Sequence, residues 1–160
     1  MENNYSYLTA ITRNTHSVPV RWLKQNGLLK GRILDYGCGR GFDTIQLSED
    51  GYECECYDPH FQPIMPTGLF NTIICVYVIN VLEKREQRAV LADVESRLVL
   101  GGHAYFAVRR DIRQEGWREH SFNRFTYQEN AKMDLPIIFK THKFVLYDLH
   151  NELPFGKVNG

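Results

Sequence analysis

Three glycines at alternate positions, Gly37, Gly39 and Gly41, follow directly on Arg32-Ile33-Leu34-Asp35-Tyr36 and lead directly into Phe42-Asp43-Thr44-Ile45-Gln46-Leu47. The first run reads as a buried strand and the second as the start of a helix that Gly51 ends. A glycine-rich turn between strand and helix brings backbone close to whatever lies above the strand's end. Glycine accepts the left-handed conformations of such a turn and omits the side chain that would stand in the way. The arrangement belongs to α/β sheets whose ligands sit beyond the carboxyl ends of the strands, and it constrains the rest of the chain accordingly.

The spacing narrows the ligand. A dinucleotide-binding loop needs its third glycine three places after the second. Here Phe42 holds that place and the third glycine comes one residue early, at Gly41. Pyrophosphate also favours a bare helix N-terminus, whereas Asp35 and Asp43 bracket this loop with carboxylates that suit a cationic ligand. S-adenosylmethionine, with an amino group and a sulfonium beside an adenosine, meets that description. An acid for ribose hydroxyls is in place: Tyr52 to Tyr57 alternates as a second strand and ends at Asp58-Pro59, 23 residues after Asp35. A plainer reading stays open, in which the glycines make an ordinary turn and Asp58-Pro59 merely starts another.

Before the loop, Ser17 to Gly27 reads as a short helix, with Ser17 as cap, Pro19 in the first turn and Asn26-Gly27 as stop. Residues 1–30 are thus expected to be a helical extension of one domain spanning 1–160. After Asp58, His60 to Leu69 carries Pro63, Pro66 and Gly68 and reads as a loop. Phe70 to Val78 reads as a strand covered on both faces. Glu83 to Leu100 follows as a helix with Val90, Leu91, Val94 and Leu98 on one face and Gly101-Gly102 as its stop. His103 to Val108 is another strand. The tail predicts a polar, arginine-rich connection and two strands, near Phe122 to Tyr127 and Lys143 to Leu149. This order indicates an α/β fold with a mostly parallel sheet, finished by a C-terminal antiparallel strand pair.

Hydrophobic residues make up 43% and charged residues 24%, with zero formal net charge. Zero net charge removes any global attraction to nucleic acid or acidic membranes, so such binding would need a local patch. Cys38, Cys54, Cys56 and Cys75 form no C-x-x-C pair, the N-terminus lacks a leader pattern, and no run approaches ~18 apolar residues. A cytoplasmic location and no membrane partner are expected. No metal is expected either, because Cys54-x-Cys56 offers at most half of a zinc site and the histidines are scattered.

Ile33-Leu34-Asp35-Tyr36-Gly37-Cys38-Gly39-Arg40-Gly41 resembles the first motif of class I, Rossmann-like, S-adenosylmethionine-dependent methyltransferases, and Tyr57-Asp58 resembles their second. More narrowly, the chain is similar over about residues 13 to 110 to methyltransferases associated with DNA phosphorothioation systems. His16-Ser17-x-Pro19, the loop with Asp43, Tyr57-Asp58-Pro59-x-Phe61 and Tyr77-Val78-x-Asn80-Val81 carry that likeness. The resemblance implies S-adenosylmethionine as cofactor, held by Asp35, Tyr36, Gly37, Cys38, Gly39, Gly41, Asp58, Pro59 and Tyr77. One departure stands out. Only residues 59–69 separate Asp58 from the next strand, and a parallel crossover alone takes roughly a dozen residues. The class's third strand and its helices are therefore expected to be missing. With them goes an acid that contacts the adenine amino group in many relatives, which leaves backbone or Pro59, His60 and Phe61 for adenine.

Methyl transfer is an in-line displacement that positioning alone can speed. The end of the Phe70 to Val78 strand should face the methyl group, which makes Asn80 and Tyr77 the catalytic candidates. Asn80 would orient an amine or hydroxyl and Tyr77 would wall the pocket; equally, Asn80 can cap the helix that follows. The Asp/Asn-Pro-Pro-aromatic motif of amino-directed DNA methyltransferases is missing after this strand, and Cys75 lacks the Pro-Cys setting of a cytosine-directed thiolate. Between Arg109 and Arg124, five arginines face three acids, interleaved with Trp117, Phe122 and Phe125. That mixture suits a nucleic acid or a phosphorylated small molecule as methyl acceptor, and it equally suits a solvated connection. The sequence reading is thus a methyltransferase of unknown acceptor, with a cofactor-binding, non-catalytic subunit or regulator as the alternative.

Overall fold

In the computed structural model, which describes residues 3–152, a 3₁₀ turn (Ser6–Thr9) and helix α1 (Val18–Gln25) precede strand β1 (Arg32–Tyr36), helix α2 (Phe42–Glu49) and strand β2 (Glu53–Tyr57). Strand β3 (Phe70–Val76), a 3₁₀ turn (Ile79–Val81) and helix α3 (Lys84–Ser96) lead into strand β4 (Leu98–Arg109). Strands β5 (Gly116–Ser121), β6 (Arg124–Gln128), β7 (Ile137–Lys140) and β8 (Phe144–His150) complete the order. Six strands form one sheet in the order β2-β1-β3-β4-β8-β7, while β5 and β6 form a separate antiparallel hairpin. β1 to β4 run parallel, and β8 is antiparallel to both of its neighbours. This is the mostly parallel Rossmann-like α/β sheet with a separate antiparallel pair.

The sheet is covered on both sides, and the period-two alternation of its strands sorts side chains between two cores. Leu34, Ile73, Cys75 and Phe106 pack with Val94 of α3, whereas Ile33, Ile74 and Ala107 pack with Leu23 of α1 and Leu47 of α2. Fully burying one such Leu or Ile is worth about 1.5–3 kcal/mol. A one-residue slip of β1 or β3 would exchange its two sets, so the register that sets the carboxyl ends of these strands is firmly held.

Residues 59–69 form no strand or helix beyond a single Asp58–Gln62 bridge, and β2 is the edge strand. The third strand expected to be missing is missing among the described residues. Elsewhere the structure departs from the sequence reading. α3 stops at Ser96, and Leu98 already begins β4. Gly101-Gly102 does not stop a helix. It sits where the β3–β4 register shifts, with Gly101 at φ +79° and Gly102 pressed against the Asn71 and Val99 carbonyls so closely that a Cβ would lie 3.0 Å from each. The tail holds four strands where two are expected, and those two do not pair with each other: β6 pairs with β5, and β8 lies between β4 and β7. No described helix is long and apolar enough to cross a membrane.

Candidate functional site

Each strand in the parallel group ends at the same edge, and the loop after β1 lies there with Gly37, Gly39 and Gly41 at φ +75°, +56° and +79°. The three glycines are needed for different reasons. A Cβ on Gly37 would run into Val78 Cγ2, one on Gly39 would meet only Ala10 Cβ at 3.5 Å, and one on Gly41 would meet nothing within 4 Å. Gly41 is required by its left-handed backbone alone, as the N-cap of α2. The loop is hooked to β2: the N–H groups of Gly37 and Cys38 donate to the Tyr57 carbonyl at 2.7 and 3.0 Å. Asp58 completes the fastening. Its Oδ2 accepts the Gly39 N–H at 2.9 Å, and its Oδ1 accepts those of His60 at 2.9 Å and Phe61 at 3.0 Å. The turn-forming role that the plainer reading assigns to Asp58 is real, and it coexists with a place on a cavity wall.

That cavity encloses about 600 Å³ above the loop. Of the nine expected cofactor residues, eight line it; Gly41 shapes the loop from behind. One wall comes from the start of α3, through Glu86, Ala89 and Val90, and the roof comes from residues 3–13. Tyr7 stacks on His60 with ring centroids 3.7 Å apart, Asn3 Nδ2 donates to the Val81 carbonyl at 2.7 Å, and Arg40 lies over Phe61. Sequence reasoning missed this roof because residues 3–13 show no periodicity; two tyrosines in a polar stretch are its one signal.

The cavity's charges are unequally occupied. Asp35 is 4% exposed, with a hydrogen bond from Thr44 Oγ1 at 2.9 Å to its Oδ2. Burial, then the neighbouring Asp43 and Asp58, push its carboxyl up to about 7 against the pull of Thr44. Asp43 is already engaged: it accepts the Ser17 N–H and hydroxyl at 2.9 and 2.8 Å and meets His16 Nδ1 at 3.0 Å. His16 in turn reaches Asp50 at 3.2 Å, where Lys24 also bonds at 2.6 Å. Ser17 therefore ties α1 to α2 and does not cap α1 with its side chain. This network joins His16, Ser17 and Asp43 into one physical unit. Arg13, also on the cavity wall, lies over the Tyr77 ring at 5.8 Å.

Tyr77 lines the cavity from the end of β3 with φ +60°, a conformation that costs a non-glycine residue on the order of 1–3 kcal/mol. Its N–H bonds the Ala107 carbonyl at 2.8 Å and its ring packs edge-on against Phe144. Burial pushes its hydroxyl up, against the pull of Arg13 and Arg109. Asn80 is not brought to the cavity. It is 2% exposed in the 3₁₀ turn, its Oδ1 3.5 Å from the Arg109 N–H and its carbonyl 2.8 Å from the Glu129 N–H. It does not cap α3 either, because Glu83 does so in a reciprocal capping box with Glu86.

The arginine-rich segment is split. Arg109, Arg113 and Arg118 meet around a second concavity of about 480 Å³ with Asp111, Gln114 and Gln128. Arg110 turns away to the Thr141 carbonyl at 3.2 Å, Trp117 Nε1 donates to Glu83 at 3.0 Å, and Phe122 is exposed at the hairpin turn. Among the described residues, no cluster of three or more His, Cys, Asp or Glu could hold a metal ion.

Glycine loop, strand-end acid and sheet order coincide in a family whose model, described as a methyltransferase domain, matches residues 11–143. The chain belongs to this methyltransferase domain family. Its fold is shared with solved methyltransferases. A Bacteroides fragilis S-adenosylmethionine-dependent methyltransferase in complex with S-adenosyl-L-homocysteine is 16% identical over 88% of this chain and 80% of that one, with a TM-score of 0.62. The Burkholderia thailandensis 1,6-didemethyltoxoflavin-N1-methyltransferase, with bound 1,6-didemethyltoxoflavin and S-adenosylhomocysteine, is 15% identical over 84% and 77%, at 0.60. A structure from work on the conversion of a disulfide bond into a thioacetal group during echinomycin biosynthesis is 20% identical at 0.52; 59% of this chain matches 49% of that longer one. No curated protein matches the sequence. The family match begins at Ile11, so most of the roof lies outside it.

Proposed function

We propose that this methyltransferase domain holds S-adenosylmethionine in the 600 Å³ cavity and methylates an acceptor that approaches past Tyr77. The observation that carries the reading is the convergence of Asp35, Asp58 and the bare backbone of Gly39 on one cavity. The donor set fits the cofactor. Asp35 is the acid with least solvent and no cationic partner, suited to an ammonium; Arg13 suits the cofactor's carboxylate; Asp58 suits ribose hydroxyls. Open space above Gly39 leaves room for the ligand, while Pro59, His60 and the α3 face of Ala89 and Val90 offer a mostly apolar slot for adenine. When bound, the sulfonium supplies a methyl group to the acceptor's lone pair, with the C–S electron pair passing to sulfur and the acceptor's proton to solvent.

The chain's own contribution is binding, orientation and exclusion of water. The roof over residues 3–13 covers the cavity, and Tyr77 walls the side where the acceptor must approach. Asn80 acts at one remove, bracing the ends of β4 and β6. On the motif likeness carried by His16, Ser17 and Asp43, we further propose that the enzyme works beside a DNA phosphorothioation system. Residues 1–160 then act as one domain, with residues 1–30 both bracing α2 and closing the cavity. Calorimetric titration with S-adenosylmethionine and with NAD tests the cofactor, and transfer of labelled methyl into cell extract tests the activity. Binding without any transfer would favour the non-catalytic regulator, and binding of NAD alone would overturn the reading.

A further inference from the structure

The concavity beside the cofactor cavity has the chemistry of an anion site. Asn130 fixes the segment that carries Arg113: its Oδ1 accepts the Ile112 N–H at 2.9 Å and its Nδ2 donates to the Ile112 carbonyl at 2.9 Å. The β5–β6 pairing sets Arg118 opposite Thr126 and Gly116 opposite Gln128, which puts Arg118 and Gln128 on the same face of the hairpin. Arg109 is neutralised by Asp111 at 2.9 Å. Arg113 and Arg118 have no carboxylate partner, and the side-chain amide of Gln128, a residue only 7% exposed, has no hydrogen-bond partner among the described residues. Two guanidinium groups without a carboxylate and the Gln128 amide therefore converge on one hollow. An anion's oxygens would accept from all three, and hydrogen bonds from guanidinium groups to an anion are the strong, charge-assisted kind.

This hollow adjoins the methyl-transfer end of the cavity. β3 and β4 are parallel neighbours; Tyr77, just past the end of β3, bonds Ala107, and Arg109, two residues farther along β4, opens the hollow. Arg13 in the cavity lies over the Tyr77 ring at 5.8 Å, and the Tyr77 N–H bonds the strand that ends at Arg109 of the hollow, so Tyr77 stands between the two spaces. We propose that the hollow of Arg113, Arg118 and Gln128 binds an anionic oxygen group, a phosphate or a carboxylate, of a small-molecule methyl acceptor whose nucleophilic atom reaches past Tyr77. The inference rests on the methyltransferase reading of the cavity. A small acceptor is favoured over nucleic acid because the free cations are two and lie in a hollow. A polynucleotide would call for a row of cations along a groove.

The test uses the full chain saturated with S-adenosylhomocysteine, with that binding measured first and separately, so that failure of the cofactor reading and failure of the anion site are told apart. Inorganic phosphate or acetate is then titrated in at constant ionic strength, with chloride as reference, while the side-chain Nε–H signals of the arginines are followed. Saturable shifts of Arg113 and Arg118 are expected, and whichever of phosphate and acetate saturates at lower concentration names the group. Arg113→Gln and Arg118→Gln should each weaken that binding by about tenfold while homocysteine-cofactor affinity stays the same. Three results would overturn the proposal: shifts no different from those in chloride, loss of cofactor affinity in either variant, or tight, steeply salt-dependent binding of a single-stranded oligonucleotide.

Discussion

Asp58 Oδ2 accepts the backbone N–H of Gly39 at 2.9 Å, so the acid at the end of β2 fastens the loop at the end of β1. One carboxylate thus serves the fold and the site together. With His60 and Phe61 on its other oxygen, Asp58 receives three backbone donors, out of roughly four acceptor positions on a carboxylate.

Asp58→Ala is accordingly expected to do two things. Affinity for S-adenosylhomocysteine should fall more than about tenfold, because a charge-assisted hydrogen bond from the ribose to the remaining acceptor position is worth roughly 1.5–3 kcal/mol. Stability should fall by about 1–2 kcal/mol as the loop's donors lose their acceptor. Calorimetry and urea unfolding measure the two separately, and unchanged affinity would leave Asp58 as a turn residue only.

Asp35 makes stability depend on pH in a stated direction. Its carboxyl lies at about 7 in the folded chain against 3.8 ordinarily, so the folded state holds a proton that the unfolded state has lost across that window. Its ionisation therefore costs nothing below about pH 4, destabilises progressively from there to about 7, and reaches its full cost of about 4 kcal/mol above that. Asp35→Asn should raise the thermal midpoint of the ligand-free protein at pH 8 and barely change it at pH 4. The same substitution should weaken cofactor binding, because the ammonium loses its acid. For the natural residue, affinity should rise with pH up to about 7 and then level off. A variant that is no more stable than the parent at pH 8 would contradict this assignment.

The glycines should respond unequally to alanine. Gly37→Ala meets both a left-handed backbone and Val78, whereas Gly41→Ala meets only the backbone, at about 1–2 kcal/mol. Chemical denaturation of both variants tests the difference; a Gly41→Ala variant that is the less stable of the two would show that Val78 moves aside freely.

Deleting residues 1–10 should leave the sheet folded and the cofactor poorly held. The roof contacts the cavity through Tyr7 on His60 and Asn3 on Val81, and the two cores draw on none of residues 3–10. A native-like circular dichroism spectrum with cofactor dissociating at least about tenfold faster is the expected result. Unchanged dissociation would mean that the roof is not part of the site.

What the sequence made legible follows from the range of the interactions. The glycine loop, Asp58 and the missing third strand could be read because each is local: a backbone conformation, a strand end, a spacing of eleven residues. The roof could not, since Tyr7 and Asn3 meet His60 and Val81 only through tertiary packing. Asn80 lies next to a strand end as expected, yet the turn Ile79–Val81 swings it towards Arg109 and Glu129, and no pattern along the chain announces that rotation. Gly101-Gly102 reads locally as a helix stop, and the β3–β4 ladder overrides it with a register shift. β5 was hidden because its exposed face is charged, and β7 because it is a four-residue edge strand.

The central claim is that the cavity above Gly39 takes S-adenosylmethionine. Gly39→Val tests it most directly, since a Cβ there would meet only Ala10 Cβ, at 3.5 Å, and the branched side chain would enter the cavity. Calorimetric titration of S-adenosylmethionine into the parent chain should give saturable one-to-one binding, and into Gly39→Val none, with both proteins showing the same circular dichroism. Equal binding by a folded Gly39→Val variant would contradict the account, because the cofactor would then have to lie somewhere other than above this loop.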